Sequence, residues 1–139
     1  MEDKTILVIE DNELNMKLVR SLLKMSRYVM IEAGDAETGM GLAREKKPDL
    51  ILMDIQLPGM DGLSATKILK ADPSLKDTMI IALTSHAMEG DDMKVREAGC
   101  DGYITKPIDT RNFLQTVDDY LNGPEDAKRE TKREMPKMS

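Results

Sequence analysis

The 139 residues are enough for one domain of ordinary size and too few for two. Hydrophobic residues make up 40% of the chain and aromatic residues 3%, so a core built mainly of Leu, Ile, Val and Met is possible and global disorder is disfavoured. Five basic and four acidic residues follow Asn122, so the formal net charge of −6 leaves −7 on residues 1–122. An acidic body argues against nucleic-acid binding, which needs a basic surface.

The chain shows no sign of a secreted or membrane-bound protein. Cys100 is its only cysteine, which rules out an intrachain disulfide and suits a reducing compartment. Apolar runs all fall far short of the roughly 20 residues that a membrane span requires. The sequence therefore predicts a cytoplasmic protein that contacts neither membranes nor nucleic acids.

Short apolar runs alternate with longer amphipathic segments along the chain. Continuous apolar runs of this length indicate strands that are buried on both faces. Such runs occur at Ile6–Ile9, Tyr28–Ile31, Leu50–Met53, Met79–Leu83 and Tyr103–Thr105. The segments between and after them have helical spacing. The first contains a stripe of Leu14, Leu18, Leu22 and Met25, which is widened by Val19 and Leu23. The pattern predicts an α/β fold with a five-stranded parallel sheet of order 2-1-3-4-5, helices on both faces and a flavodoxin-like topology.

The predicted domain covers residues 1–122, and the last seventeen residues have a different character. Residues 123–139 contain two prolines, mixed charge and no apolar periodicity. A segment of this composition cannot bury enough apolar surface to offset the entropy of ordering. We expect residues 123–139 to form a disordered charged tail.

Polar side chains stand where the predicted strands end. Glu10 and Asp11 follow the first strand, Asp54 follows the third, Thr84 the fourth and Lys106 the fifth. Singly, each residue fits a helix cap, a solvated turn or ordinary strand propensity. In a parallel sheet, however, the carboxyl ends of the strands meet at one edge, so all five side chains are expected to share one crevice.

This set of side chains suits the transfer of a phosphoryl group. Clustered carboxylates raise one another's pKa, and a hard divalent cation such as Mg²⁺ relieves their repulsion. A carboxylate beside Mg²⁺ and a lysine can attack phosphorus and form an aspartyl phosphate. Lys106 would neutralise charge on the phosphoryl oxygens, and the Thr84 hydroxyl would donate a hydrogen bond to one of them.

Five separated motifs resemble the receiver domains of two-component response regulators in order and spacing. The resemblance covers about residues 4–122 and is greatest to stand-alone cell-division regulators of the DivK type, while receivers of hybrid histidine kinases are nearly as similar. The motifs are Glu10–Asn12, Pro48–Gly62, Ala82–Thr84, Ala98–Tyr103 and Lys106–Pro107.

The resemblance implies a role for each residue of the predicted metal site. Asp54 is the expected phosphoacceptor and the one modified residue. Glu10, Asp11 and Asp54 are expected to hold Mg²⁺, and the backbone carbonyl of Gln56 would complete the protein ligands.

The resemblance also implies a switch and a set of partners. Thr84 and Tyr103 correspond to the switch pair, Lys106 to the phosphate-binding lysine, and the Lys106–Pro107 bond is expected to be cis. Phosphate would come from a sensor histidine kinase or a histidine phosphotransfer protein. A surface formed by the fourth helix, fifth strand and fifth helix would then bind a downstream protein, and self-catalysed phosphorylation and dephosphorylation would be limited.

Two other functions use similar residues. An aspartyl-nucleophile phosphatase of the haloacid dehalogenase type also places an Asp at the end of a parallel strand. It generally carries a second acid two residues later, where this chain has Gln56, and it normally has a cap domain for which this chain has no room. The second of these other functions is that of a receiver-like binding module that is never phosphorylated.

The chain departs from the family pattern at two turns. Many relatives have glycine before the second strand, where this chain has Ser26 and Arg27, so that turn is expected to be strained or differently shaped. Ser85 follows Thr84 where relatives often have alanine; serine is also small enough to leave the phosphate accessible.

Overall fold

The computed structural model describes residues 4–57, 59–84 and 89–122, with the backbone alone for residues 89–93. Strands and helices alternate along these residues, and none of the described helices is long and apolar enough to cross a membrane. The elements are β1 Thr5–Ile9, α1 Glu13–Leu23, β2 Val29–Ala33, α2 Ala36–Lys46, β3 Leu50–Asp54, α3 Gly62–Lys70, β4 Met79–Thr84, α4 Glu89–Ala98, β5 Gly102–Thr105 and α5, residues 113–122. A turn of 3-10 helix, Pro73–Leu75, precedes β4.

The five strands form one parallel sheet in the order β2-β1-β3-β4-β5, which confirms the predicted fold class. The central strands β1, β3 and β4 are almost entirely buried. The prediction that every strand is buried on both faces is wrong for β2 and β5, because these are the edge strands of the sheet. Val29 of β2 is 50% exposed, and Tyr103 of β5 is 37% exposed.

Helices cover the sheet on both faces and create two hydrophobic cores. Met16 of α1 and Phe113 of α5 belong to the core on one face. Met40 of α2 and Leu69 of α3 belong to the core on the other. The sheet is therefore shielded from water everywhere except at its edges and ends, and this leaves the carboxyl ends of the strands as the accessible polar region.

The apolar stripe predicted for α1 is confirmed along the middle of the helix and is wrong at its two ends. Leu14 is 76% exposed and Met25 is 69% exposed, whereas Met16, Val19 and Leu22 are buried. Leu14 lies in the first turn of α1, at the end where the chain has just left the sheet, and Met25 lies beyond the end of the helix. The predicted stripe is wrong at both ends because it was extended past the part of the helix that contacts the sheet.

The turn before β2 does not need a glycine, and the expected strain is absent from it. The Ser26 hydroxyl donates a hydrogen bond to the carbonyl oxygen of Leu23 at 2.6 Å and accepts one from the backbone N–H of Tyr28 at 3.1 Å. None of the residues from Met25 to Tyr28 has a positive φ. The serine side chain therefore closes the turn with ordinary backbone geometry. Ser85 and the predicted tail lie outside the described residues.

Leu14 and Leu22 of α1 provide a matched test of which part of the predicted stripe is buried. Leu22→Ala is expected to lower the free energy of unfolding by about 2–4 kcal/mol, because it leaves a cavity in the core. Leu14→Ala is expected to change it by less than about 0.5 kcal/mol, since the side chain is largely solvated. Urea unfolding followed by circular dichroism measures both values. Equal losses in the two variants would contradict the packing described here.

Candidate functional site

The backbone of three strands fixes the positions of Glu10, Asp54 and Lys106 at the carboxyl edge of the sheet. Asp54 is the last residue of β3. Glu10 directly follows β1, and its N–H donates to the carbonyl oxygen of Ala33 at 3.0 Å. Lys106 directly follows β5, and its N–H donates to the carbonyl oxygen of Thr84 at 2.8 Å. The sheet thus holds these three residues beside one another without help from flexible loops.

The Lys106 ammonium lies between two buried carboxylates. Its Nζ atom is 3.0 Å from Oε1 of Glu10 and 3.1 Å from Oδ2 of Asp54. Carboxylate oxygens of Glu10, Asp11 and Asp54 all lie within 4.8 Å of one another. Glu10 and Asp54 are buried, whereas Asp11 is exposed and lies at the solvent side of the cluster. The structure therefore brings together three acids and one lysine that the sequence placed at strand ends.

Backbone N–H groups orient the two buried carboxylates. Oδ1 of Asp54 accepts a hydrogen bond from the N–H of Gln56 at 2.9 Å. Oε2 of Glu10 accepts one from the N–H of Asn12 at 3.1 Å. Oε1 of Glu10 is buried and receives no well-directed hydrogen bond from any described residue, although Lys106 is close to it.

One lysine does not fully offset the negative charge of the cluster. Burial raises the pKa of the Glu10 carboxyl, and the neighbouring Asp54 raises it further, while Lys106 acts in the opposite direction. Burial works against the charged form of Lys106, but its close contact with the Glu10 carboxylate and the charge of Asp54 leave its pKa above the ordinary value. Lys106 is therefore held as a cation, and the acids around it still carry an unfavourable excess of negative charge.

These residues fit a hard divalent cation. Mg²⁺ prefers oxygen ligands, takes only a few of them from protein and keeps water or phosphate oxygens in its other positions. Glu10, Asp11 and Asp54 offer three such oxygens, and the orphaned Oε1 of Glu10 is an acceptor that a cation or its water would satisfy. Gln56 is exposed just after β3, and ligation by its carbonyl oxygen stays a prediction.

The two residues of the predicted switch occupy different environments. Thr84 is buried at the end of β4, where it pairs with Thr105 of β5. Tyr103 pairs with Ala82, two residues further from the site along the strands, and its side chain is exposed at the edge of the sheet. Tyr103 also borders a groove of about 270 Å³ between β5 and α5, whose lining includes Ile104, Pro107, Ile108, Asn112 and Phe113. The bond between Lys106 and Pro107 is cis, as expected.

Asn12 contributes to the site in a way that the sequence analysis missed. Its N–H binds Glu10, and its side chain accepts a hydrogen bond from the N–H of Asn15 at 3.0 Å, which caps the start of α1. Asparagine is a preferred N-cap residue, so its position before a helical segment was the available signal. The cap fixes the direction in which the chain leaves Asp11 and enters α1.

The fold and the site together define a receiver domain. The family model of the response regulator receiver domain matches residues 6–118, and the chain belongs to this family. Its sequence is 48% identical over 118 residues to the polar-differentiation response regulator DivK of Brucella anthropi, and the alignment covers 85% of this chain and 96% of that protein. The resemblance to DivK-like stand-alone receivers is therefore confirmed.

Solved structures agree with this classification. The receiver domain of a sensor histidine kinase from Pseudomonas aeruginosa, solved with a magnesium ion in its active-site cleft, is 30% identical with a TM-score of 0.80. That alignment covers 87% of this chain and 99% of the other. A CheY-like receiver domain protein from Methanospirillum hungatei superposes with a TM-score of 0.81 at 25% identity, covering 91% and 99% of the two chains.

Removal of the Asp11 carboxylate is expected to abolish most of the stabilisation that Mg²⁺ gives to the fold. At tenfold excess over its Kd, a ligand of the folded state adds about 1.4 kcal/mol to the free energy of unfolding. This corresponds to about 3–6 °C in melting temperature for a domain of this size. Differential scanning fluorimetry with and without Mg²⁺ measures the shift for wild type and Asp11→Ala.

Glu13→Ala is the control for this experiment, because Glu13 is an exposed acid of the nearby first turn of α1 that lies outside the cluster. It is expected to keep the wild-type response to Mg²⁺. Without metal, Asp11→Ala should be at least as stable as wild type, since it relieves repulsion among the acids. If Mg²⁺ raises the melting temperature of Asp11→Ala as much as that of wild type, Asp11 is not a metal ligand.

Proposed function

We propose that this chain is a phosphorylation switch in which Asp54 accepts a phosphoryl group from a partner phosphohistidine. The observation that carries the proposal is the contact of Lys106 Nζ with both Glu10 and Asp54, at 3.0 and 3.1 Å, inside a cluster of three carboxylates. This arrangement supplies a nucleophile, a fixed positive charge and oxygen ligands for a cation in one crevice. It supports phosphoryl transfer better than a purely structural ion pair, because it leaves the acids in excess.

The transfer exchanges one bond to phosphorus for another. A carboxylate oxygen of Asp54 forms a bond to phosphorus while the bond between phosphorus and the donor imidazole nitrogen breaks, and the imidazole leaves with the electron pair. Bound Mg²⁺ would neutralise charge on the transferred group and on the acids around it. The N–H of Gln56 holds Oδ1 of Asp54, so the carboxylate presents a fixed orientation to the incoming phosphorus.

Lys106 has two partners in this step. Before transfer it balances the carboxylates of Glu10 and Asp54. Once Asp54 carries a phosphoryl group, the same ammonium is within a side-chain rotation of the phosphoryl oxygens and can neutralise them. Its position within the fold changes little, because its backbone N–H is tied to the end of β4.

Thr84 and Tyr103 are proposed to carry the signal to the edge of the sheet. The Thr84 hydroxyl stands at the strand end next to Asp54 and can donate to a new phosphoryl oxygen. Movement of Thr84 toward the site would free space beside β5, into which the exposed ring of Tyr103 can turn. The ring would then bury apolar area next to the groove between β5 and α5.

Partners follow from this chemistry. The donor is expected to be a histidine kinase or a histidine phosphotransfer protein, and the target a protein that binds the surface of α4, β5 and α5. The acidic body gives no reason to expect binding to nucleic acid. A cytoplasmic location stays a prediction from the single cysteine.

The two alternative functions have less support. The family match is to receiver domains, and Gln56 occupies the place of the second acid that a haloacid dehalogenase phosphatase uses. A receiver-like module that is never phosphorylated would have no need for a lysine between two acids in a cation-binding cluster. Direct phosphorylation separates this module from the switch.

Asp54→Asn is expected to block phosphorylation and keep the fold, because it replaces the nucleophile with an amide of the same shape. Intact mass after incubation with acetyl phosphate and Mg²⁺ should show one added phosphoryl group on wild type and none on the variant. Asp35→Asn is the control, since Asp35 caps α2 and asparagine also caps helices well. Phosphate incorporation into Asp54→Asn at the wild-type rate would refute the assignment.

Thr84→Ala is expected to accept phosphate slowly and to lose the response of the distant surface. A population shift of one or two decades needs about 1.4–3 kcal/mol of differential stabilisation, which a charge-assisted hydrogen bond can supply. NMR shifts of β5 and α5 with and without beryllofluoride measure the response. Thr105→Ala, which alters the exposed partner of Thr84 in β5, is the control. Wild-type shifts in Thr84→Ala would refute the relay.

A further inference from the structure

The first residue of α3 lies directly against the backbone that carries Asp54. Gly62 is buried, and its N–H donates to the carbonyl oxygen of Ile55 at 3.3 Å. An ideal Cβ at this position would lie 2.2 Å from the carbonyl oxygen of Asp54 and 2.6 Å from Cα of Ile55. These are backbone atoms at the end of β3, and they cannot rotate away as the end of a side chain could.

A glycine is needed at position 62 because there is no room for a Cβ, and not because of the backbone conformation. The φ of Gly62 lies outside the left-handed range, in contrast to Gly59 at +75°. A residue with a side chain could therefore adopt this backbone, but its Cβ would overlap the peptide that joins Asp54 to Ile55. The only way to accommodate the Cβ is to separate α3 from the end of β3.

A second contact holds Gly62 from the side of the helix. Oγ1 of Thr66, which is fully buried, donates a hydrogen bond to the carbonyl oxygen of Gly62 at 2.8 Å. Gly62 therefore has a fixed neighbour on each side, with the next turn of α3 behind it and the Asp54–Ile55 peptide in front of it. A displacement introduced at Gly62 would be transmitted to the strand end, because the helix side is anchored.

We propose that Gly62 is a positioning residue for Asp54. Because Gly62 has no side chain, α3 packs directly against the Asp54–Ile55 peptide and fixes the position of that peptide. This inference rests on the proposed function of Asp54. Two groups of the site depend directly on that peptide, namely the Asp54 carboxylate and the Gln56 N–H that binds its Oδ1. The predicted ligation of the cation by the Gln56 carbonyl depends on it as well.

The expected effect of Gly62→Ala is a loss of site geometry that exceeds the loss of stability. Changes to residues that hold a metal ligand in place, without touching the metal, typically reduce metal affinity or activity by about tenfold to a hundredfold. The variant should therefore bind Mg²⁺ more weakly and react more slowly with acetyl phosphate, both by at least about tenfold. The amide NMR signals of Ile55 and Gln56 should move even without Mg²⁺, which a stability change alone would not cause.

Two other glycines provide matched controls for the same chemical change. A Cβ at Gly41 would have no atom within 4 Å, so Gly41→Ala should behave like wild type. A Cβ at Gly102 would lie 2.3 Å from the Tyr120 side chain. Gly102 is the first residue of β5, so it lies at the end of the strand that points away from the site. Gly102→Ala should therefore lose stability while keeping Mg²⁺ affinity and phosphorylation rate within about threefold of wild type.

The experiment measures the Mg²⁺ Kd by calorimetry and the phosphorylation rate by intact mass, at a temperature where each variant is folded. Wild-type values in folded Gly62→Ala, or equal losses in Gly62→Ala and Gly102→Ala, would overturn the inference. If Gly62→Ala does not fold, Thr66→Val decides, because it keeps the shape of the side chain and removes the hydrogen bond to Gly62. The only other bond that it removes among the described residues is a long one from the Cys100 thiol, at 3.9 Å. A loss of about threefold to tenfold supports the inference, and wild-type values overturn it.

Failure of the proposed function gives a different result. In that case wild type binds Mg²⁺ but gains no phosphoryl group from acetyl phosphate or a phosphohistidine donor. The Mg²⁺ affinities of Gly62→Ala and its controls still show whether Gly62 positions the Asp54–Ile55 peptide.

Discussion

An excess of carboxylates around one lysine shapes the whole carboxyl edge of this sheet. Glu10, Asp11 and Asp54 bring oxygens within 4.8 Å of one another, and Lys106 compensates only part of their charge. A protein that needed only stability would gain little from such a cluster, because burial of charged groups is costly. The parallel sheet keeps these acids in place, and their oxygens therefore stay close enough to one another to bind a divalent cation.

Other features of the fold hold the ends of the central strands in place, whereas the proposed switch residue Tyr103 lies at a more exposed position. Asp54, Glu10 and Lys106 are attached to strands that are hydrogen-bonded on both sides or tied to a neighbour by their own backbone. Gly62 packs against the strand end from the helix layer. Tyr103, in contrast, lies on an edge strand next to a groove, with its side chain exposed.

The sequence predicted the topology and the convergence of the acids because both follow from simple patterns. Uninterrupted apolar runs indicated the strands, and polar residues directly after them indicated the site edge. Only the two ends of the α1 stripe were predicted wrongly, because Leu14 and Met25 continue an apolar spacing beyond the turns that contact the sheet. The role of Ser26 in its turn and the contact of Gly62 with the Asp54 peptide depend on distances between atoms, which no spacing along the sequence reports.

The proposed function requires that Asp54 takes a phosphoryl group in a reaction that depends on a divalent cation. Its most direct test incubates the full chain with a phosphorylated histidine phosphotransfer protein, in Mg²⁺ or in EDTA, and traps the acyl phosphate by borohydride reduction. Peptide mass mapping then locates the modified residue. We expect a single modification, at Asp54, that requires Mg²⁺. Modification of another residue, or equal modification of Asp54 in EDTA, would contradict it.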